Sequence, residues 1–245
     1  MSHRSVKTTS SSSSTGSPKP VASLKPRILT TRKNAINLLD DVCFILLDVE
    51  TTGLDASTSH VIQLAGKELG SRSEEEFAEY ILPPVEVPQI IEEITGITDD
   101  FLRSGEFKVF NEVYLEFQDF CTQQANGREV CFVAHNAKFD IGMIESELRR
   151  WRTVDKAAPV LADVFVASLD TLALFKERRL WTAPNVRPSS FKLGNIYYHV
   201  FSENMTNAHN AVGDVRALER LLLSNHFPNW KSIGNAIQQP FIKIT

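Results

Sequence analysis

Phe44-Ile45-Leu46-Leu47-Asp48-Val49-Glu50-Thr51-Thr52-Gly53-Leu54 begins as an apolar run, sets two carboxylates two residues apart, and ends in a turn. A buried strand has no use for charge, so Asp48 and Glu50 need another reason to be there. Side chains on a strand alternate faces, which points both carboxylates to the same side. Two anions that close repel each other unless a cation lies between them, and hard oxygen donors suit Mg²⁺ or Mn²⁺. The stretch therefore predicts a strand whose C-terminal end is part of a metal site.

Working outward, Val42 to Val49 reads as a buried strand, and Val61 to Leu69 and Phe77 to Leu82 follow so closely that the three form an antiparallel meander. Prolines at 83, 84 and 88 end it, and a short helix is expected near Thr98 within the loop Glu93 to Leu102. Phe110, Val113, Tyr114, Phe117 and Phe120 have the spacing of an amphipathic helix, placed over Phe110 to Gln124. Further strands are expected at Glu129 to Ala134 and Val164 to Leu169. Helices are expected at Ile141 to Trp151, Thr171 to about Trp181, Phe191 to Phe201 and Ala211 to Asn225. Strands first and then alternating strand and helix imply an α/β fold, a mixed β-sheet flanked by helices.

The ends differ in character. Residues 1–36 form a Ser/Thr-rich basic arm without periodic apolar residues, read as disordered or as a transit peptide. Residues 37–228 form the folded domain, and 229–245 a C-terminal tail. The first 39 residues hold seven Lys or Arg and no acid; removing those seven from the chain's 26 basic residues leaves 19 against 30 acidic ones. A body that acidic does not announce a nucleic-acid binder by charge, so a polyanion would have to be met by metal ions, local basic patches and backbone donors. Cys43, Cys121 and Cys131 lie in or beside apolar segments without CxxC spacing, which points to free thiols in an intracellular, reducing compartment and argues against a zinc site. Cytoplasm or nucleus fits, with mitochondrion or plastid if the arm is a targeting peptide. No apolar run has membrane-spanning length, so no membrane partner is expected.

Three places combine acids with an unusual context: Asp48 and Glu50 ending the first strand, Asp140 opening a helix after a strand, and Asp214 in the last long helix, five residues after His209. Singly each has a plain structural reading, as a helix cap, a dipole partner or a solvated pair. Their order and spacing resemble the DnaQ-like 3′-to-5′ exonucleases of the DEDDh type, a family that includes the epsilon subunit of bacterial DNA polymerase III. The motifs that carry the resemblance are Asp48-Val49-Glu50-Thr51-Thr52-Gly53-Leu54, His135-Asn136-Ala137-Lys138-Phe139-Asp140 and His209-Asn210-Ala211-Val212-Gly213-Asp214, with Thr95-Gly96-Ile97-Thr98 and Asp170-Thr171 also similar.

The resemblance implies a ribonuclease H-like fold and hydrolysis of nucleic acid from a free 3′ end to nucleoside 5′-monophosphates, single-stranded DNA or RNA being the expected substrate. It implies that Asp48, Glu50, Asp140 and Asp214 hold two ions, Mg²⁺ or Mn²⁺, with Asp48 as bridge. Two ions roughly 4 Å apart can stabilise both the attacking and the leaving oxygen of a phosphodiester. It implies that His209 is a general base rather than a ligand, since a neutral imidazole can take a proton from the attacking water. Thr51, Thr52 and Gly53 would meet the terminal 3′-hydroxyl, and Leu54 would pack on the last base. His135 and Asn136 would touch the phosphate or stand behind the site. Phe139 reads first as core and second as a stacking surface. Arg149, Arg150 and Arg152, and Lys176, Arg178 and Arg179, read as solvated helix faces or as a nucleic-acid track. Two alternatives stay open, a proofreading subunit with a polymerase partner and an inactive binding module on the same fold.

Overall fold

A computed structural model describes residues 42–177, 181–182, 188–227 and 241–243. The readings made for residues 1–36, for Arg178 and Arg179, and for most of the 229–245 tail lie outside the described residues. Among the described residues the sheet has six strands: β1 (Val42–Thr51), β2 (Val61–Glu68), β3 (Glu76–Tyr80), β4 (Glu129–Ala134), β5 (Phe165–Asp170) and β6 (Phe241–Lys243). Their spatial order is β3-β2-β1-β4-β5-β6. The expected meander is present, since β2 pairs antiparallel with both β1 and β3. β4 pairs parallel with β1, and β5 parallel with β4. β6 closes the far edge antiparallel to β5, with Leu169 opposite Phe241. No sequence signal pointed to this tail strand.

The helices are α1 (Gln89–Thr95), α2 (Asp99–Ser104), α3 (Phe110–Ala125), α4 (Ala137–Val154), α5 (Thr171–Lys176), α6 (Leu193–Phe201) and α7 (Ala211–Leu222). α2 starts as expected at Thr98, whose hydroxyl accepts from the Phe101 amide. α1 was not expected; it begins after Pro88, whose fixed φ suits the residue leading into a helix. α4 begins at Ala137, four residues earlier than expected, so Asp140 falls in its first turn. α5 ends at Lys176 rather than near Trp181, and the Trp181 indole N–H donates to the Phe175 carbonyl at 2.8 Å.

The parity of β1 decides what each helix covers. Cys43, Ile45, Leu47 and Val49 face one core with Val113, Tyr114 and Phe117 of α3 and Met143, Ile144 and Leu148 of α4. Val42, Phe44 and Leu46 face the other, with Val215, Leu218 and Leu222 of α7 and Ile196 of α6. Gly66 on β2 admits the Phe117 ring: a Cβ there would lie 2.7 Å from Phe117 Cε2. Truncating a fully buried phenylalanine such as Phe117 costs roughly 3–5 kcal/mol, enough to hold α3 to its face. Asp48 and Glu50 continue the even-numbered row of β1 toward α7. A one-residue slip of β1 would turn them into the α3/α4 core, so the apolar pattern also fixes where the carboxylates stand. Among the described residues no helix is long and apolar enough to cross a membrane.

Candidate active site

The site lies at the C-terminal ends of β1, β4 and β5, where the sheet runs out and α4 and α7 begin. Between Glu50 and Thr51 the β1/β2 register shifts, a bulge of the kind that re-aims side chains at a strand end. Asp48, Glu50 and Asp214 each offer a carboxylate oxygen, and these oxygens lie within 4.8 Å of one another. Asp214 is held there by the way α7 starts. Gln63, 2% exposed and opposite Glu50 in the register, accepts a hydrogen bond from the Ala211 amide at 2.9 Å and so ties the helix N-terminus to β2. Gly213 lets the preceding loop cross the first turn, since a Cβ there would stand 2.2 Å from the Asn207 carbonyl oxygen. That loop ends in Asn207 (φ +55°) and exposed His209 (φ +61°), both left-handed.

Burial pushes every one of these carboxyls up. Asp48 is raised well above its ordinary value, first by loss of water and then by Asp140, Asp214 and Glu50. Burial also raises Asp140 strongly. Glu50 is pushed up to about 7 by burial and by Asp214. Asp214 rises to about 6 through burial, with His209 pulling the other way. Asp214 Oδ1 is buried without a hydrogen-bond partner. Anions crowded at this cost, one with an idle lone pair, fit a hard divalent cation: the donors are all carboxylate oxygens, the set that suits Mg²⁺ or Mn²⁺. Asp48, Glu50 and Asp214 would hold such an ion. Asp140 lies outside the 4.8 Å group. It is 3% exposed, and one of its oxygens accepts from the Val49 amide at 3.3 Å.

The second motif is fixed by two residues that sequence reasoning noted but gave no role. Asp170 Oδ1 accepts from the Leu172 amide, capping α5, and from the Asn136 amide, both at 2.9 Å. The Thr171 hydroxyl donates to the Ala134 carbonyl and lies 3.1 Å from His135 Nδ1. His135 Nε2 lies 2.8 Å from the Phe191 carbonyl. Both ring nitrogens of His135 thus have protein partners. Of its two expected roles, touching phosphate or standing behind the site, these contacts favour the second. Asn136 is exposed and left-handed (φ +71°) at the start of α4. Phe139 packs against the α3/α4 core, in line with the first of its two readings.

In the turn after β1, Thr51 donates to the Gly53 carbonyl at 2.6 Å, and Thr52 Oγ1 accepts from the His60 amide at 2.9 Å. Leu54 stands at the tip, 85% exposed. A polar group from α4 braces the turn and was missed as such: the sequence shows Arg150 only as one of three clustered arginines. Its guanidinium is turned inward to the carbonyls of Ala56 and Ser59 and to Glu147, so its donors are engaged within the fold.

The family model described as Exonuclease (RNase_T) matches residues 45–222. The chain belongs to this family, the DnaQ-like 3′-to-5′ exonucleases of the ribonuclease H-like superfamily. It is 37% identical over 114 residues to the DNA polymerase III PolC-type of Streptococcus suis, a match covering 46% of this chain and 7% of that one. It is 34% identical over 124 residues to that of Streptococcus pneumoniae, covering 50% and 8%. The matched segments span less than a tenth of those polymerases. Among solved structures it resembles E. coli exonuclease I in complex with a dT13 oligonucleotide, with a TM-score of 0.58 at 18% identity over 77% of this chain and 42% of the other. It also resembles a 3′-exonuclease described as recognising the histone mRNA stem-loop, with a TM-score of 0.59 at 12% identity over 83% and 70%. At such identities the structures show the fold.

Proposed function

We propose that the chain is a metal-dependent 3′-to-5′ exonuclease of the DEDDh subtype, releasing nucleoside 5′-monophosphates from single-stranded DNA or RNA 3′ ends. The observation that carries this is the grouping of Asp48, Glu50 and Asp214 within 4.8 Å at the strand ends, on a family fold of known chemistry. Two bound Mg²⁺ or Mn²⁺ ions would supply the positive charge that offsets the phosphate and stabilises the attacking and leaving oxygens. Asp48, Glu50, Asp140 and Asp214 hold that charge in place. His209 is exposed beside Asp214 on a loop fixed by Gly213, and takes the proton from the attacking water. Leu54 packs on the terminal base, while the backbone of Thr52 and Gly53 faces the 3′-hydroxyl. Thr51 and Thr52 give their hydroxyls to the turn itself, so they act through its shape.

The reading is tested by digesting matched single- and double-stranded DNA and RNA, each labelled at the 5′ end. A ladder shortening from the 3′ end, silenced by EDTA, is expected. Immediate internal cuts, or turnover that survives thorough chelation, would contradict it, and no cleavage of any substrate would favour an inactive binding module. His209→Ala should lower the rate by roughly 10² to 10⁴ with Mn²⁺ affinity kept; a fully active variant refutes the base assignment. The likeness to PolC-type polymerases supports a second reading, a proofreading exonuclease working with a polymerase, which co-purification with a polymerase would favour.

A further inference from the structure

Leu54, four residues after Glu50, is 85% exposed, and an exposed side chain defines a binding surface only if its loop is held. The Thr52–His60 loop is held by helix α4. Arg150 Nη2 donates to the Ser59 carbonyl at 2.8 Å, and Nη1 donates to the Ala56 carbonyl at 3.2 Å and to Ser146 Oγ at 3.0 Å. Glu147 Oε1 accepts from the Val61 amide at 3.1 Å, lies 3.0 Å from His60 Nδ1 and pairs with Arg150 at 3.1 Å. Glu147, Ser146 and Ser59 are all buried, at 7%, 5% and 6% exposed, so the partners of Arg150 are shielded although its own side chain keeps 31% exposure. The two arms of the loop meet at Gly53, where a Cβ would lie 2.8 Å from Ser59 Oγ, and at Thr52, which exchanges hydrogen bonds with the His60 backbone at 2.8 and 2.9 Å. The same helix carries Asp140 in its first turn, about 15 Å back along the axis. One rigid rod thus bears both a carboxylate of the site and the brace of the loop beside it.

We propose that Arg150 and Glu147 are positioning residues that set affinity for the 3′-terminal nucleotide by fixing the Thr52–His60 loop, and through it Leu54, relative to the carboxylates. This rests on the reading that Leu54 meets the terminal base. The planar guanidinium meets two carbonyls from two nitrogens in a fixed fork, a geometry that the single nitrogen of a lysine ammonium does not reproduce.

The test is a double-mutant cycle on the full chain: wild type, Arg150→Ala, Leu54→Ala and the double variant, with Arg150→Lys as a fifth protein. Binding of a fluorescent single-stranded oligonucleotide is read by anisotropy in Ca²⁺, and Mn²⁺ affinity by calorimetry. Each single alanine variant should weaken oligonucleotide binding about tenfold while Mn²⁺ affinity stays within about twofold. The double variant should lose no more than about 20-fold instead of the roughly 100-fold product, because both act on one contact. Arg150→Lys should remain at least about threefold weaker than wild type. Unchanged affinity in Arg150→Ala with only a lower melting temperature, multiplicative losses, or full rescue by lysine would overturn the proposal. If Arg150→Ala does not fold, wild-type affinity in Arg150→Lys overturns it alone. Turnover of a 5′-labelled strand by the wild type tests the exonuclease reading separately; without turnover, the Ca²⁺ binding cycle still decides the brace. A wild type that binds no oligonucleotide would overturn both.

Discussion

Asp48 sits where three other carboxylates raise the cost of its charge, so its side chain works against the fold until a cation arrives. Asp48→Asn should therefore abolish turnover and yet raise the melting temperature of the metal-free protein by about 2–4 °C, corresponding to about 1 kcal/mol in a chain of this size. A lower melting temperature by calorimetry would show that Asp48 has a structural role. The neighbouring groups give the pH dependence. Glu50 rises from 4.5 to about 7 and Asp214 from 3.8 to about 6, so both bind protons more tightly in the folded than in the unfolded chain. That contribution to stability is complete below about pH 4 and is lost as pH rises through 6 to 7. The metal-free protein should accordingly lose stability between pH 5 and pH 8 in urea titrations, while Mn²⁺ affinity rises over the same window because protons compete for the ligands. Stability that increases with pH there would show that these groups do not carry the raised values.

At the scale of elements, each carboxylate is placed by how its element begins or ends. β1 ends in a bulge; α4 starts from a left-handed Asn136 tethered to Asp170; α7 starts from Gln63 and from a loop that presses on Gly213. Gly213→Ala puts a methyl where the Asn207 carbonyl stands, and its helical backbone is otherwise compatible with alanine. The variant should displace the His209 loop and lower the rate by about 10²-fold, a cost of the order seen when a catalytic group is misplaced by about 1 Å. Mn²⁺ affinity should fall far less, since Asp48 and Glu50 remain on β1. Equal losses of rate and Mn²⁺ affinity would mean that the loop and Asp214 move together. α6 and α7 are bolted by Arg220, which pairs with Glu203, bonds the Tyr197 hydroxyl and lies 4.0 Å over the Phe201 ring. Glu203 opens the loop that ends at His209, so that loop is held at both ends.

For the whole molecule, the sheet separates two cores, and the site forms where both meet the strand ends: α4 reaches it from one face and α7 from the other. A cation that binds only the folded arrangement must stabilise the entire domain. Mg²⁺ or Mn²⁺ at about 100 times its dissociation constant should add about 2.7 kcal/mol, read as a higher melting temperature that EDTA reverses. A melting temperature indifferent to both would mean that the site is not assembled in the folded chain.

The parity of Val42 to Glu50, the amphipathic spacing of Phe110 to Phe120, and the three acidic motifs in order were legible in the sequence, because strand alternation, helical period and carboxylate chemistry are local properties. These fixed the sheet's inner strands, the family and the candidate ligands. The tail strand β6 was not legible: the pairing of Phe241–Lys243 with β5 joins backbone far apart in sequence, and nothing local announces its partner. Nor were Gln63 as the cap of α7, Asp170 as the tether of Asn136, or Arg150 as the brace of the Leu54 loop, each a hydrogen bond spanning 34 or more residues. The sequence determined which residues carry the charge. Only the tertiary structure decided how those charges are held, because a buried polar group takes its role from partners that folding, not chain neighbourhood, brings within reach.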